Sequence, residues 1–172
     1  VKTSAVVAGI ERLTHDILEL RVQVKALLTY APGQYARLTF PGLPARDYSM
    51  APSGRADELA FHIREVAGGC VSASVAQVAR PGVTVQVEGP FGDAYLREDH
   101  TKPILAVGGG SGLAPILSIV SRAVEADMHQ PIHFYFGARD NRDVYGLQQL
   151  DALERAHPRL SRHVVLSAAD GR

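Results

Sequence analysis

The sequence predicts two units of different class in one chain of 172 residues: an all-β barrel or sandwich up to about residue 101, then an α/β unit built on a parallel sheet. Three observations carry that reading. Apolar and polar residues alternate before Thr101, and Pro–Gly turns separate the runs. After Pro103 the grammar becomes strand, helix, strand, helix, strand. At the changeover, Gly108-Gly109-Gly110-Ser111-Gly112 follows a strand-like run and opens a helix-like one.

In the first unit, Leu18, Leu20, Val22 and Val24 share one strand face, as do Ala36, Leu38 and Phe40, then Leu59, Phe61 and Ile63, then Val83, Val85 and Val87. Period two means strands with one buried face. Ala31-Pro32-Gly33, Phe40-Pro41-Gly42, Pro52-Ser53-Gly54, Arg80-Pro81-Gly82 and Gly89-Pro90 punctuate them. One helix interrupts the strands, with Ser72 as its cap, Val75 and Val78 as its inner stripe and Pro81-Gly82 as its stop. In the second unit, Ile104–Val107 is a continuous apolar run. Residues 113–126 carry Leu113, Ile116, Leu117, Val120 and Val124 at helical spacing. Residues 132–136 read as a strand, 144–156 as a helix stopped at His157-Pro158, and 160–166 as a third strand. Such alternation implies a parallel sheet with right-handed crossovers.

Lysine plus arginine balance aspartate plus glutamate at 18 each. A protein that neutralises nucleic-acid phosphates needs a basic excess, so that class is set aside. No apolar run approaches the roughly 20 residues of a membrane span, and no secretory leader shows, so a cytoplasmic location is expected. The single cysteine, Cys70, excludes an internal disulfide and a cysteine-ligated iron–sulfur cluster within these residues.

A glycine-rich turn between strand and helix is where α/β folds hold phosphates, because glycine lets a ligand approach the backbone and the helix start offers free N–H groups. The P-loop is excluded by the lack of a lysine, and G-x-G-x-x-G by Leu113 and Pro115 at the third glycine's place. The nucleophile elbow G-x-S-x-G is excluded by Leu113. A plain tight turn stays open as the alternative. Pro115 fits a first helical turn.

Arg46, Tyr48 and Ser49 lie between turns. Arginine suits a phosphate, tyrosine a flat ring and serine a single hydrogen bond. Alternation sends Arg46 and Tyr48 one way and Ser49 the other; an exposed strand with a surface arginine remains the plainer reading. His62 and Arg64 alternate with Phe61 and Ile63, and Gly68-Gly69-Cys70-Val71-Ser72 opens the lone helix of the first unit, a second place where an anion could sit.

In order, Arg46-Asp47-Tyr48-Ser49-Met50, Phe61-His62-Ile63-Arg64, Gly68-Gly69-x-Val71-Ser72, Gly89-Pro90-Phe91-Gly92 and residues 108–115 resemble the ferredoxin–NADP reductase superfamily. The resemblance is strongest to reductase components of bacterial aromatic-ring dioxygenases. It covers nearly the whole chain, and Ala94-Tyr95-Leu96-Arg97 and Tyr135-Phe136-Gly137-Ala138-Arg139 also look like that group.

The resemblance implies a six-stranded antiparallel Greek-key barrel holding FAD over residues 1–101, and part of a doubly wound parallel sheet binding NAD over 102–172. It implies that Arg46 binds the flavin pyrophosphate, Tyr48 lies against the ring and Ser49 places its hydroxyl near flavin N5. It further implies that His62, Ile63 and Arg64 line the flavin tail, and that Gly69, Cys70, Val71 and Ser72 cradle the pyrophosphate. Gly110, Ser111, Gly112 and Pro115 would shape the nicotinamide-nucleotide site; Ser111 stands where the family commonly has threonine. Hydride would pass from NADH to FAD and single electrons onward, with Ser49 and Tyr48 at the reacting end and no metal. NADH is favoured over NADPH because the third strand ends Ser167-Ala168-Ala169-Asp170, without the arginine that often follows it in NADPH users; Arg172 keeps NADPH open. The implied partners are a ferredoxin, separate or fused, carrying a 2Fe-2S cluster, and a terminal oxygenase downstream.

Other residues draw plainer readings. His129 and His133, with Pro131 between them, read as a strand approach rather than a metal pair. Cys70 reads as a small residue at a tight turn, and Asp140, Arg142 and Asp143 as a loop and helix cap. Two alternatives stay open: a free-flavin reductase, and a non-catalytic electron-transfer subunit of a larger complex. Relatives continue with further strands, so these residues are expected to be a fragment that keeps FAD but oxidises NADH poorly.

Overall fold

The computed structural model describes residues 1–25, 28–66, 68 and 71–168. Strands β1 (Lys2–Arg12), β2 (Ile17–Val24), β3 (Tyr35–Thr39), β4 (Arg46–Ala51), β5 (Glu58–Arg64) and β6 (Thr84–Phe91) close an antiparallel barrel in the order β1-β2-β5-β4-β3-β6. The chain leaves β2 and returns on the far side to start β3, which is the Greek-key route. The alternating residues fill the interior: Leu20, Val22, Leu38, Phe61, Ile63, Val85 and Val87 are buried there.

The helix α1 (Ser72–Val78) closes one part of the barrel through buried Val75. Ser72 does not cap it. Val71 holds the cap position with no side-chain hydrogen bond, and the Ser72 hydroxyl instead accepts from the Val66 N–H at 3.1 Å. A serine one place inside the helix start can reach back to the preceding loop, and that contact wins here. The helix also ends before Pro81, at Ala79, whose extended backbone leaves the helical path.

The second unit is a three-stranded parallel sheet in the order β7 (Ile104–Gly109), β8 (Ile132–Ala138) and β9 (Leu160–Leu166). Helix α2 (Leu113–Glu125) joins β7 to β8, and α3 (Leu147–Ala156) joins β8 to β9. Leu113, Leu117 and Val120 of α2 and Leu150 of α3 bury Ala106, Ile132, Phe134 and Phe136. The third helix starts at Leu147, not at Val144. Gly146 takes a left-handed backbone (φ 71°) just before it, and a three-residue 3-10 turn, Asn141–Asp143, precedes that. The Asp140–Asp143 cap expected for the helix therefore closes this turn: Asp140 accepts from the Arg142 N–H at 2.9 Å and Asp143 from the Asp140 N–H at 3.2 Å.

Strand alternation puts Leu105, Val107, Tyr135 and Val165 on the sheet face opposite the helices. There Leu105 is 69% and Val107 60% exposed. The continuous apolar run of β7 thus meets covering helices on one side only among the described residues.

Candidate functional site: the seam between barrel and sheet

Three features of the fold converge on one seam. First, β4 and β5 pair only at Met50↔Phe61 and Ala51↔Ala60. Beyond that point the two strands run on without pairing, so Arg46–Ser49 faces His62–Arg64 across an opening. Main-chain groups along such an opening have no ladder partner there and can take a ligand's hydrogen bonds. Second, the carboxyl ends of β7, β8 and β9 point at the barrel, and that edge of a parallel sheet is where ligands bind. Third, a cleft of about 350 Å³ lies between them, lined by Asp16, Ile17 and Arg64 of the barrel and by Gly110, Gly137, Ala138, Arg139, Asp143, Val165 and Ser167 of the sheet unit.

Arg64 stands at the centre of this seam. Its Nε donates to Asp16 Oδ2 at 2.7 Å, and its Nη1 lies 3.4 Å from where a side chain on Gly110 would begin. Burial works to raise the Asp16 carboxyl, but hydrogen bonds from Arg64 and Thr14, with the Arg64 charge, hold it below its ordinary value. His15 Nδ1 stands 3.3 Å from Asp143 Oδ1, a polar contact between the units.

Each glycine of the turn has its own reason. A Cβ on Gly108 would come within 3.2 Å of Ile116, and one on Gly109 within 2.8 Å of the Gly137 carbonyl, so these two permit close packing of strand on helix and strand on strand. Gly110 has φ +54°, a backbone that L residues rarely adopt. Gly112 has an ordinary φ of −67° and nothing within 4 Å of a built Cβ. Neither backbone nor packing demands glycine there, so its missing side chain keeps space open where α2 begins. The same open space surrounds Gly42 and Gly82 in ordinary turns, so it leaves room for a ligand cradle without by itself deciding against a plain turn. Ser111 lies beside it, and Pro115 sits in the first turn of α2, where its missing N–H has no helical partner to lose.

On the barrel side, register matches the expected alternation: Arg46 lies opposite Leu38, Tyr48 opposite Ala36 and Ser49 opposite Tyr35. Arg46 is exposed and its guanidinium donates to the Ala45 carbonyl at 2.8 Å. Tyr48 is half-buried, and burial raises its phenol above the ordinary value while the Arg46 charge opposes that. Arg46 and Arg64 do not share one cleft: Arg46 lies with Arg37 and Asp47, where Arg37 is ion-paired to Asp47 at 2.7 Å.

Two of the residues expected along the flavin tail have buried side chains. The Ile63 side chain is buried in the barrel core, so only its main chain is open to a ligand. The His62 side chain does not reach open surface either. It is 8% exposed, with Nδ1 3.0 Å from the Tyr145 hydroxyl and Nε2 3.6 Å from Glu19. Val71 is buried and Ser72 is spent on Val66, which leaves their main chain for any ligand at the short α1. Gly69 and Cys70 lie outside the described residues, as do Asp170 and Arg172.

Motif order does not single out Tyr145 or Asp16, and it marks Arg139 only as part of a strand end and not as a site residue. Arg139 carried a signal, because it follows β8 at the ligand-binding edge of a parallel sheet. Tyr145 and Asp16 lie in loops with no motif of their own.

Comparison with known proteins fits this arrangement. Residues 4–95, more than half of the chain, match the oxidoreductase FAD-binding domain family. The chain belongs to that family. Residues 106–171 match the oxidoreductase NAD-binding domain. This member of the FAD-binding domain family is 46% identical over 161 residues to the ferredoxin–NAD(P)+ reductase component of a naphthalene 1,2-dioxygenase system from Pseudomonas putida, covering 94% of this chain and 49% of that protein. It is 35% identical over 156 residues to a xylene/toluene monooxygenase electron transfer component from Pseudomonas putida, covering 90% of this chain and 44% of that protein. The chain thus spans about half the length of these relatives. Among solved structures, the ferredoxin reductase in carbazole 1,9a-dioxygenase superposes with a TM-score of 0.86 at 26% identity, over 100% of this chain and 53% of that one. The Amycolatopsis cytochrome P450 reductase superposes at 0.90 with 28% identity, over 96% of this chain and 52% of that one. No helix among the described residues is long and apolar enough to cross a membrane.

Proposed function

We propose that these residues form the flavin and nicotinamide part of a reductase that takes hydride from NADH and delivers single electrons to an iron–sulfur acceptor serving an oxygenase. The observation that carries this is the seam itself: the opened β4–β5 edge of an FAD-binding barrel meets the glycine turn of an NAD-binding sheet, with Arg64 against Gly110. A redox couple needs its two partners in contact, and this seam is where two sites can share a wall.

Bound FAD supplies the conversion of a two-electron hydride into two one-electron steps. The chain's own residues do the placing. Arg46 and the open main chain of β4 and β5 hold the flavin phosphates. The face of Tyr48 supports a flat ring, and the Ser49 hydroxyl donates a hydrogen bond at the ring's reacting nitrogen; among the described residues that hydroxyl has no other partner. On the nucleotide side, Gly110, Ser111 and Gly112 let the backbone approach a pyrophosphate, and Pro115 starts the helix without losing a bond. Arg139 adds a cation at the rim of the cleft. NADH is preferred over NADPH because Ser167, at the end of β9, borders the cleft and no arginine follows it within the next two residues. The acceptor is a ferredoxin, separate or fused, and an oxygenase consumes the electrons.

The role of Ser49 is testable by itself. Ser49→Ala removes one hydrogen bond at the reacting nitrogen, so flavin reduction by NADH in a stopped-flow cell should slow by roughly tenfold. FAD should co-elute through gel filtration as before. An unchanged reduction rate removes Ser49 from the mechanism, and loss of FAD from the unaltered protein on the column would favour a free-flavin reductase.

A further inference from the structure

The two units are joined by a chain of polar groups with a buried centre: Glu19 on β2, the buried His62 on β5, the buried Tyr145 before α3, and the Gly110 carbonyl in the glycine turn. The distances are 3.6 Å from Glu19 Oε2 to His62 Nε2, 3.0 Å from His62 Nδ1 to the Tyr145 hydroxyl, and 2.9 Å from that hydroxyl to the Gly110 oxygen. Tyr145 is 7% exposed and wedged edge-on against both His62 and Phe136.

Proton counting fixes the direction of this chain. A tyrosine hydroxyl carries one proton, and burial with the nearby Glu19 charge pushes its ionisation far up, so it stays a donor. The Gly110 carbonyl can only accept. For both contacts to be hydrogen bonds at once, the Tyr145 proton goes to Gly110 and its oxygen accepts from His62. That requires the proton on Nδ1 of His62. The Gly110 oxygen also accepts from the Leu113 N–H that opens α2, so Tyr145 takes the second lone pair of the same oxygen. Gly110 is the left-handed residue of the turn, and this pair of bonds pins it.

We propose that Tyr145 is a positioning residue for the nicotinamide nucleotide: with His62 held as the Nδ1–H form, it locks the Gly110 turn against the FAD barrel. His62 thereby serves the seam and not the flavin tail. The inference rests on the reading of the glycine turn as the nucleotide's site.

Two measurements separate the proposal from that reading. Long-range ¹H–¹⁵N spectra of the imidazoles, with His62 assigned, report the ring directly and need no ligand. A protonated Nδ1 is expected; a neutral ring protonated only on Nε2 overturns the proposal. Titration with NAD+ then reads affinity without turnover, in wild type and in Tyr145→Phe, with melting and FAD affinity measured alongside. The variant should bind NAD+ roughly five- to tenfold more weakly, the size of one lost buried hydrogen bond. Its FAD affinity should not change. Equal NAD+ affinity in the folded variant overturns the positioning role. NAD+ that binds the wild type without shifting the Ser111 and Gly112 amides overturns the underlying reading and the proposal with it, whatever the tautomer.

Discussion

Gly110 and Gly112 lie two residues apart and are glycine for opposite reasons. Gly110 has a left-handed backbone and Arg64 close by, so Gly110→Ala should cost about 1–2 kcal/mol of stability. Gly112 has ordinary angles and empty space around it, so Gly112→Ala should leave stability within about 0.5 kcal/mol. The same change fills the cradle and should weaken NAD+ binding by roughly tenfold, the worth of one backbone contact. Thermal melts and NAD+ titration of the pair check this. Full NAD+ affinity in Gly112→Ala would return the turn to a mere connection. At this scale the sequence was only partly legible. The glycine cluster announced itself, but spacing could not say which glycine serves packing and which serves a ligand. His62 and Ile63 were read from the motif's order alone. Burial of one against Tyr145 and of the other in the barrel core depends on contacts made far along the chain.

Among elements, the barrel and sheet are joined by the turn before β2. Thr14 and Asp16 hold that turn, and Asp16 reaches across to Arg64 at the end of β5. Asp16 in the folded state lies below its ordinary value of 3.8, so the unfolded chain takes up protons first as pH falls. Stability from this carboxylate is therefore full above the unfolded value and is lost as pH falls through the folded one. Asp16→Asn should flatten the acid limb of the melting curve below about pH 4. An acid limb as steep as the wild type's would show that the Asp16–Arg64 pair does not stabilise the fold. The elements themselves were largely visible in advance, because period two and helical spacing are written by burial on one face. Their ends were less so. Ser72 bonds backward instead of capping, and Gly146 delays α3 by three residues. Both outcomes turn on local competition between hydrogen bonds that a pattern of apolar residues does not record.

For the whole molecule, the apolar content of β7 exceeds what the described helices cover. Parallel strands with apolar residues on both sides are the pattern of a sheet buried on both faces, yet Leu105 and Val107 stay open. The chain also spans about half the length of its relatives. On the function proposed, a flavin site and a nicotinamide site share one wall at the seam. The most direct test is the visible spectrum of the protein carrying FAD, recorded without oxygen before and after NADH. Flavin bands should survive gel filtration and bleach rapidly with NADH, and much more slowly with NADPH. A protein that retains no flavin, or whose flavin NADH leaves oxidised, would contradict the proposed function.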